Sequence, residues 1–134
     1  MNPPRRRVFL DANVLFSAAY LEDAGLLALW RLANVLLLTS AYAAEEARRN
    51  LDSDERRARL AGLLSKMEVV SEPVNQPLPG GFRLRDKDEP IMRAAIASKA
   101  THLLTGDWRD FGEWIGKRVQ GVRIQTPGDF LRAL

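Results

Sequence analysis

The sequence predicts a single α/β domain in which a five-stranded parallel sheet carries helices on both faces. Three observations lead there. The chain has 134 residues, enough for one domain with its own core. Five short apolar runs, each bounded by polar or turn residues, recur along it. Helical patterns lie between those runs, and strands that alternate with helices pack as a covered parallel sheet.

The runs are "RVFL" (7–10), "NVLLLT" (34–39), "KMEVVS" (66–71), "THLLTG" (101–106) and "GVRIQT" (121–126). A helix is expected just after the first strand, because Asp11 is a residue type that starts helices. "DAGLLALWRLAN" sets Leu26, Leu27, Leu29, Trp30 and Leu32 on a broad apolar face. "SAYAAEEARRNL" opens with Ser40, a good N-cap, and "DSDERRARLAGLLSKM" with Asp52 or Ser53. "DEPIMRAAIASKA" holds Pro90 in its first turn, where the missing N–H is harmless. "TPGDFLRAL" supplies a last short helix. The segment 73–88 carries three prolines and two glycines and is expected to be a long loop.

Composition narrows the chemistry. Without cysteine, disulfides and thiolate zinc sites are excluded. A single histidine, His102, cannot build a multi-histidine metal centre and reads as a strand residue with no catalytic role. Any bound metal must therefore be held by carboxylates, which selects hard cations such as Mg²⁺ or Mn²⁺. The net charge of +3 permits a nucleic-acid substrate without demanding one. No apolar stretch approaches the roughly 20 residues of a membrane span. A cytoplasmic protein with no membrane partner is the expectation.

The acidic residues fall in a telling pattern. In parallel α/β sheets, sites form beyond the carboxyl ends of the strands. Asp11 ends the first strand and Asp107 follows the fourth. Glu45 and Glu46 lie about one and a half turns into the helix leaving the second strand. Asp86 and Asp88 stand at the entry of the helix feeding the fourth, whose N-terminus a right-handed crossover brings to the same edge. Clustered carboxylates repel, and a divalent ion offsets that repulsion. Such an ion activates water for attack on a phosphodiester without a side-chain nucleophile.

From Arg7 to about Pro127 the chain resembles the PIN-domain ribonucleases, of the kind found as VapC-type toxins in toxin–antitoxin pairs. "FLDANVLFSA" is similar to the family's opening motif, with Asp11 as first ligand and Asn13 orienting it. "LTSAYAAEEARRNL" resembles the second motif, which selects Glu46. "DKDEPIMRAAIASKATHLLTGDWRDF" resembles the third and fourth together, placing acids at Asp88 and Asp107 with Thr105 as a polar neighbour. The resemblance implies catalytic and metal-binding roles for Asp11, Glu46, Asp88 and Asp107. It also implies Mg²⁺ or Mn²⁺ as cofactor, endonuclease activity on RNA, an antitoxin partner and a homodimer. The apolar helices at 24–32 and 54–67 are the expected dimer surface.

Simpler readings exist for each residue. Asp11 and Asp88 could be helix caps and Asp107 a turn residue. Trp30, Trp108 and Trp114 read as core or interface residues. Arg48, Arg49, Arg56, Arg57 and Arg59 read as a solvated face, whereas Arg83, Arg85 and Lys87, just before Asp88, are candidates for RNA-backbone contact. Rival functions lack their residues. A phospho-receiver needs an acceptor Asp after the third strand, where "SEP" stands. A haloacid-dehalogenase-type phosphatase needs a second Asp where Asn13 stands. A nucleotide-binding module needs a glycine-rich loop after the first strand. The alternative left standing is a PIN-fold RNA-binding or regulatory module without general nuclease activity.

Overall fold

A computed structural model of the chain describes residues 5–71, 76–81, 84 and 88–134. Much of the 73–88 loop, including Arg83, Arg85, Asp86 and Lys87, lies outside the described residues. All five expected strands form: β1 Arg6–Leu10, β2 Val35–Ser40, β3 Glu68–Val70, β4 His102–Leu104 and, counting one further strand, β6 Val122–Gln125. These five are mutually parallel in the order β3-β2-β1-β4-β6. The addition is β5, Arg118–Val119, two residues that pair antiparallel with β6 at the sheet edge. A two-residue strand is too short to show an alternating pattern, so "KRVQ" gave no strand signal.

β1 is the centre of the fold. Its Val8, Phe9 and Leu10 are fully buried, flanked by Leu37 and Leu38 of β2 and Leu103 and Leu104 of β4. Burying one such side chain is worth roughly 1.5–3 kcal/mol, so this strand is among the most stabilising segments. The chain winds outward from β1 through β2 to β3, then returns across β1 to β4 and β6. The order therefore reverses between β1 and β4, and the carboxyl ends of those strands diverge around a crevice.

The helices fall close to expectation. α1 (Ala12–Tyr20) follows Asp11, and α2 (Ala41–Asn50) starts from Ser40, whose hydroxyl accepts from the Ala43 N–H. α3 (Asp54–Leu64) is capped by Ser53 rather than Asp52. α4 (Glu89–Ala97) carries Pro90 in its first turn, and α6 (Pro127–Arg132) starts from Thr126. The segment expected as a helix over 23–34 is instead a 3₁₀ helix, Gly25–Arg31. Tighter winding aligns residues three apart. It sets Leu26, Leu29 and Leu32 against the core, while the Trp30 indole donates to the Leu63 carbonyl at 3.2 Å. A short α5 (Trp108–Phe111), anchored by buried Phe111, was not legible in the sequence. Trp108 is 61% exposed and is not a core residue.

Arg48 and Arg49 of α2 are exposed, as a solvated face requires, but two arginines of α3 do more. Arg56 and Arg59 donate to the Tyr20 and Ala19 carbonyls, satisfying the C-terminus of α1. Arg56 also lies over the Tyr20 ring at 3.7 Å. Among the described residues, no single helix is long and apolar enough to cross a membrane.

The Ser40 cap fixes the helix that carries Glu46. Ser40→Ala should cost about 1 kcal/mol of stability, read as a lower urea midpoint at unchanged slope; an unchanged midpoint would show the cap to be dispensable.

Candidate metal centre

The crevice at the strand reversal is a pocket of about 390 Å³ lined by Asp11, Asn13, Glu46, Asp88 and Asp107, with Phe16, Asn50 and Gly106 completing it. Four acids separated by up to 96 residues in sequence, Asp11 to Asp107, thus share one cavity. Each arrives on a different element. Asp11 is the first residue past β1, Glu46 lies in mid-α2, Asp88 precedes α4, and Asp107 precedes α5.

Asp11 is 3% exposed and is held by three donors. Its Oδ1 accepts from the Ala12 N–H at 2.7 Å, so it does cap α1. Its Oδ2 accepts from the Thr105 hydroxyl at 2.8 Å and from Asn13 Nδ2 at 3.1 Å. The network is directional. The Gly106 N–H donates to Asn13 Oδ1 at 2.8 Å, which turns the amide nitrogen of Asn13 towards Asp11. The Asp107 N–H donates to Thr105 Oγ1 at 3.0 Å, which directs the hydroxyl proton towards Asp11. A Cβ at Gly106 would stand 3.3 Å from Asn13 Oδ1, tight enough that Asn13 would have to give by a few tenths of an ångström.

These donors do not balance burial. Desolvation pushes the Asp11 carboxyl up to about 6, against the opposing hydrogen bonds of Thr105 and Ala12, with the charges of Glu46 and Asp107 adding to the rise. A displacement from 3.8 to about 6 is a preference for the neutral form of about 3 kcal/mol. Asp88 is pushed further, to about 8, first by burial, then by the adjacent Asp110 carboxyl and the charges of Asp11, Asp110 and Asp107. It makes no side-chain cap on α4, and its buried Oδ2 has no hydrogen-bond partner among the described residues. A cap accounts for part of Asp11 and for none of Asp88.

Asp107 does cap, accepting from the Asp110 N–H at 3.0 Å. That turn brings in a residue the sequence reading missed. Oxygens of Asp88, Asp107 and Asp110 lie within 4.8 Å of one another, close enough to share a cation. The signal was the three-residue spacing in "DWRD", which becomes a shared direction only once α5 is recognised. Glu45, by contrast, forms a two-pronged pair with Arg48 at 2.6 and 2.8 Å and is absent from the pocket lining. His102 begins β4, at the opposite end of the strands from these acids. The donor set fits a hard divalent cation. It consists of carboxylate oxygens, one of them buried and unpartnered, on a site that destabilises its own charge.

Comparison with known proteins decides the family. The model of the PIN domain matches residues 7–109. The chain belongs to the PIN domain family. The match takes in Asp11, Glu46, Asp88 and Asp107 together, and the fold agrees with it. The PIN domain is similar in structure to a chain of VapBC2 from Rickettsia felis, solved bound to a DNA fragment from its promoter. The TM-score is 0.61 at 16% identity, over 90% of this chain and 98% of that one. Among curated proteins, no sequence matches this PIN domain.

Both raised acids stabilise the metal-free fold most when protonated. Their contribution is complete below the ordinary value of 3.8 and is lost as pH rises through about 6 for Asp11 and about 8 for Asp88. In EDTA, the melting temperature should fall from pH 5 to pH 9, and Asp88→Asn should flatten the upper part of that fall. Parallel curves for the two proteins would refute this assignment.

Proposed function

We propose that this PIN domain is a metal-dependent endoribonuclease and the toxin of a toxin–antitoxin pair. The observation that carries the reading is the buried, unpartnered Asp88 oxygen in a pocket shared with Asp11, Glu46 and Asp107. A structure does not keep mutually repelling buried acids without something to offset them. The VapBC2 likeness supports the pairing with an antitoxin, and the PIN family supports nuclease chemistry.

Asp11, Glu46, Asp88 and Asp107 would hold Mg²⁺ or Mn²⁺, with Asp110 as a further carboxylate beside Asp88 and Asp107. Such an ion supplies charge neutralisation and a water acidic enough to attack a phosphodiester. The chain's own residues prepare that site. Thr105 and Asn13 fix the Asp11 carboxylate in one orientation, so no rearrangement is required when a cation arrives. Phe16 and Ala12 supply the apolar part of the wall, which lowers the local dielectric and strengthens each charge interaction. Arg83, Arg85 and Lys87 remain candidates for the RNA backbone from their position before Asp88. Homodimerisation through the early helices and a cytoplasmic setting belong to the same proposal.

The test is cleavage of single-stranded RNA. Mg²⁺ or Mn²⁺ should support it and EDTA should abolish it; full activity in EDTA would overturn the reading. Asp11→Asn, Glu46→Gln and Asp88→Asn should each lower the rate to near background, while Glu45→Gln should stay close to the parent. The Asp11 variant is the most informative, because asparagine caps a helix as well as aspartate does. Retained activity in Asp11→Asn would reduce Asp11 to a cap. RNA binding with metal but without cleavage would favour the regulatory-module alternative.

A further inference from the structure

The opposite edge of the sheet is as basic as the carboxyl edge is acidic. Arg118 of β5 stands directly across from Arg123 of β6 in antiparallel register. Arg123 is in turn level with His102 of β4, and His102 with Val8 of β1. Arg6 lies two residues before Val8, so it points to the same face. Adjacent strands are about 4.8 Å apart, so this row of cationic and imidazole side chains crosses four strands over about 14 Å.

Like charges directly opposite each other weaken a strand pair. The relief within the row is slight: Arg123 Nη1 donates to the Gly116 carbonyl at 3.3 Å and Arg6 lies 6.0 Å from the Phe130 ring centre, neither of which neutralises a charge. Among the described residues, no aspartate or glutamate forms an ion pair with Arg6, Arg118 or Arg123. The neighbouring arginines confirm the contrast: Arg132 on α6 pairs with Asp129 at 2.5 Å, and Arg7 on the other face of β1 reaches Glu68 at 4.0 Å. Arg6, His102, Arg123 and Gln125 line a cavity of about 330 Å³, floored by Phe130, which takes the His102 ring edge-on at 5.0 Å. Burial and the charges of Arg6, Arg123 and Arg118 hold the His102 imidazole below its ordinary value. The side chains therefore converge electrostatically as well as geometrically. β5 exists only to pair with β6, and one of its two residues is the arginine opposite Arg123.

From this we infer that the amino edge of the sheet is a second nucleic-acid surface, on which Arg6, Arg118 and Arg123 take successive backbone phosphates of a single strand. A linear row of guanidinium groups suits a polyanion with regularly spaced charges better than one small anion in one pocket. The surface lies about five residues along β1 from Asp11, roughly 16 Å. It does not depend on whether the acidic pocket cleaves RNA.

Binding of a fluorescein-labelled oligouridylate to the full chain is measured by anisotropy in EDTA, so that no cleavage occurs, over a series of salt concentrations. Each of Arg6→Gln, Arg118→Gln and Arg123→Gln should reduce the salt slope by about 0.7, and the triple variant should weaken binding by roughly tenfold or more at low salt. Arg132→Gln, an arginine with its own partner, should bind within about twofold of the parent. The triple variant gives up the Arg123–Gly116 hydrogen bond as well as the repulsion, so its melting curve is recorded alongside, and a retained cooperative transition separates lost binding from lost folding. An oligothymidylate arm tells whether the surface distinguishes RNA from DNA, and equal binding of both supports a backbone contact. Unchanged slopes in the triple variant would overturn the inference. So would an equal loss in Arg132→Gln, or stronger competition by polyglutamate than by unlabelled oligouridylate, which would mark the row as a protein-docking surface.

Discussion

The structure depends on a carboxylate buried at the end of its most apolar strand. Val8, Phe9 and Leu10 are fully buried, and the next residue is Asp11, 3% exposed. A charge in that position is tolerated only when donors surround it. Three do, and each comes from a segment fixed by something else: Ala12 by the start of α1, Asn13 by the Gly106 N–H, Thr105 by the Asp107 N–H. The loops after β1 and β4 are thereby locked to each other across the strand reversal. The same bonds that satisfy Asp11 set the position of Asp107.

Even so, the pocket remains electrostatically unfavourable without a counter-charge. Asp11 and Asp88 are both driven towards their neutral forms, and burial outweighs every other cause in each. A surface cluster of acids would be screened and would cost little. This one is partly enclosed, so its repulsion is stored rather than dissipated. That distinguishes it from Glu45, which sits one residue from Glu46 yet has a guanidinium partner and half its side chain in solvent.

Charge is segregated along the strand axis. Acids gather beyond the carboxyl ends of β1 and β4, while Arg6, His102, Arg118 and Arg123 gather at the amino ends of the same sheet. A net charge of +3 conceals this division, because the two sets nearly cancel in the sum. Parallel strands make such segregation possible, since all their carboxyl ends face one way.

The sequence by itself determined the alternation of strands and helices, because apolar periodicity and cap residues are local properties. It also marked Asp11, Asp88 and Asp107, since strand ends and helix starts can be read from neighbours, while Asn13, Glu46 and Thr105 were singled out by the motif resemblance. Three things were left to tertiary structure. That Glu46 lines the crevice while Glu45 turns to Arg48 follows from the rotation of α2 against the sheet, which no single helix specifies. Asp110 joined Asp88 only through α5, a four-residue helix held by the burial of Phe111 rather than by propensity. The pairing of Arg118 with Arg123 came from a two-residue strand, too short for any pattern, whose register exists only in the sheet. In each case the deciding contact joins residues whose separation in sequence carries no signal, and packing alone sets which side chains face each other.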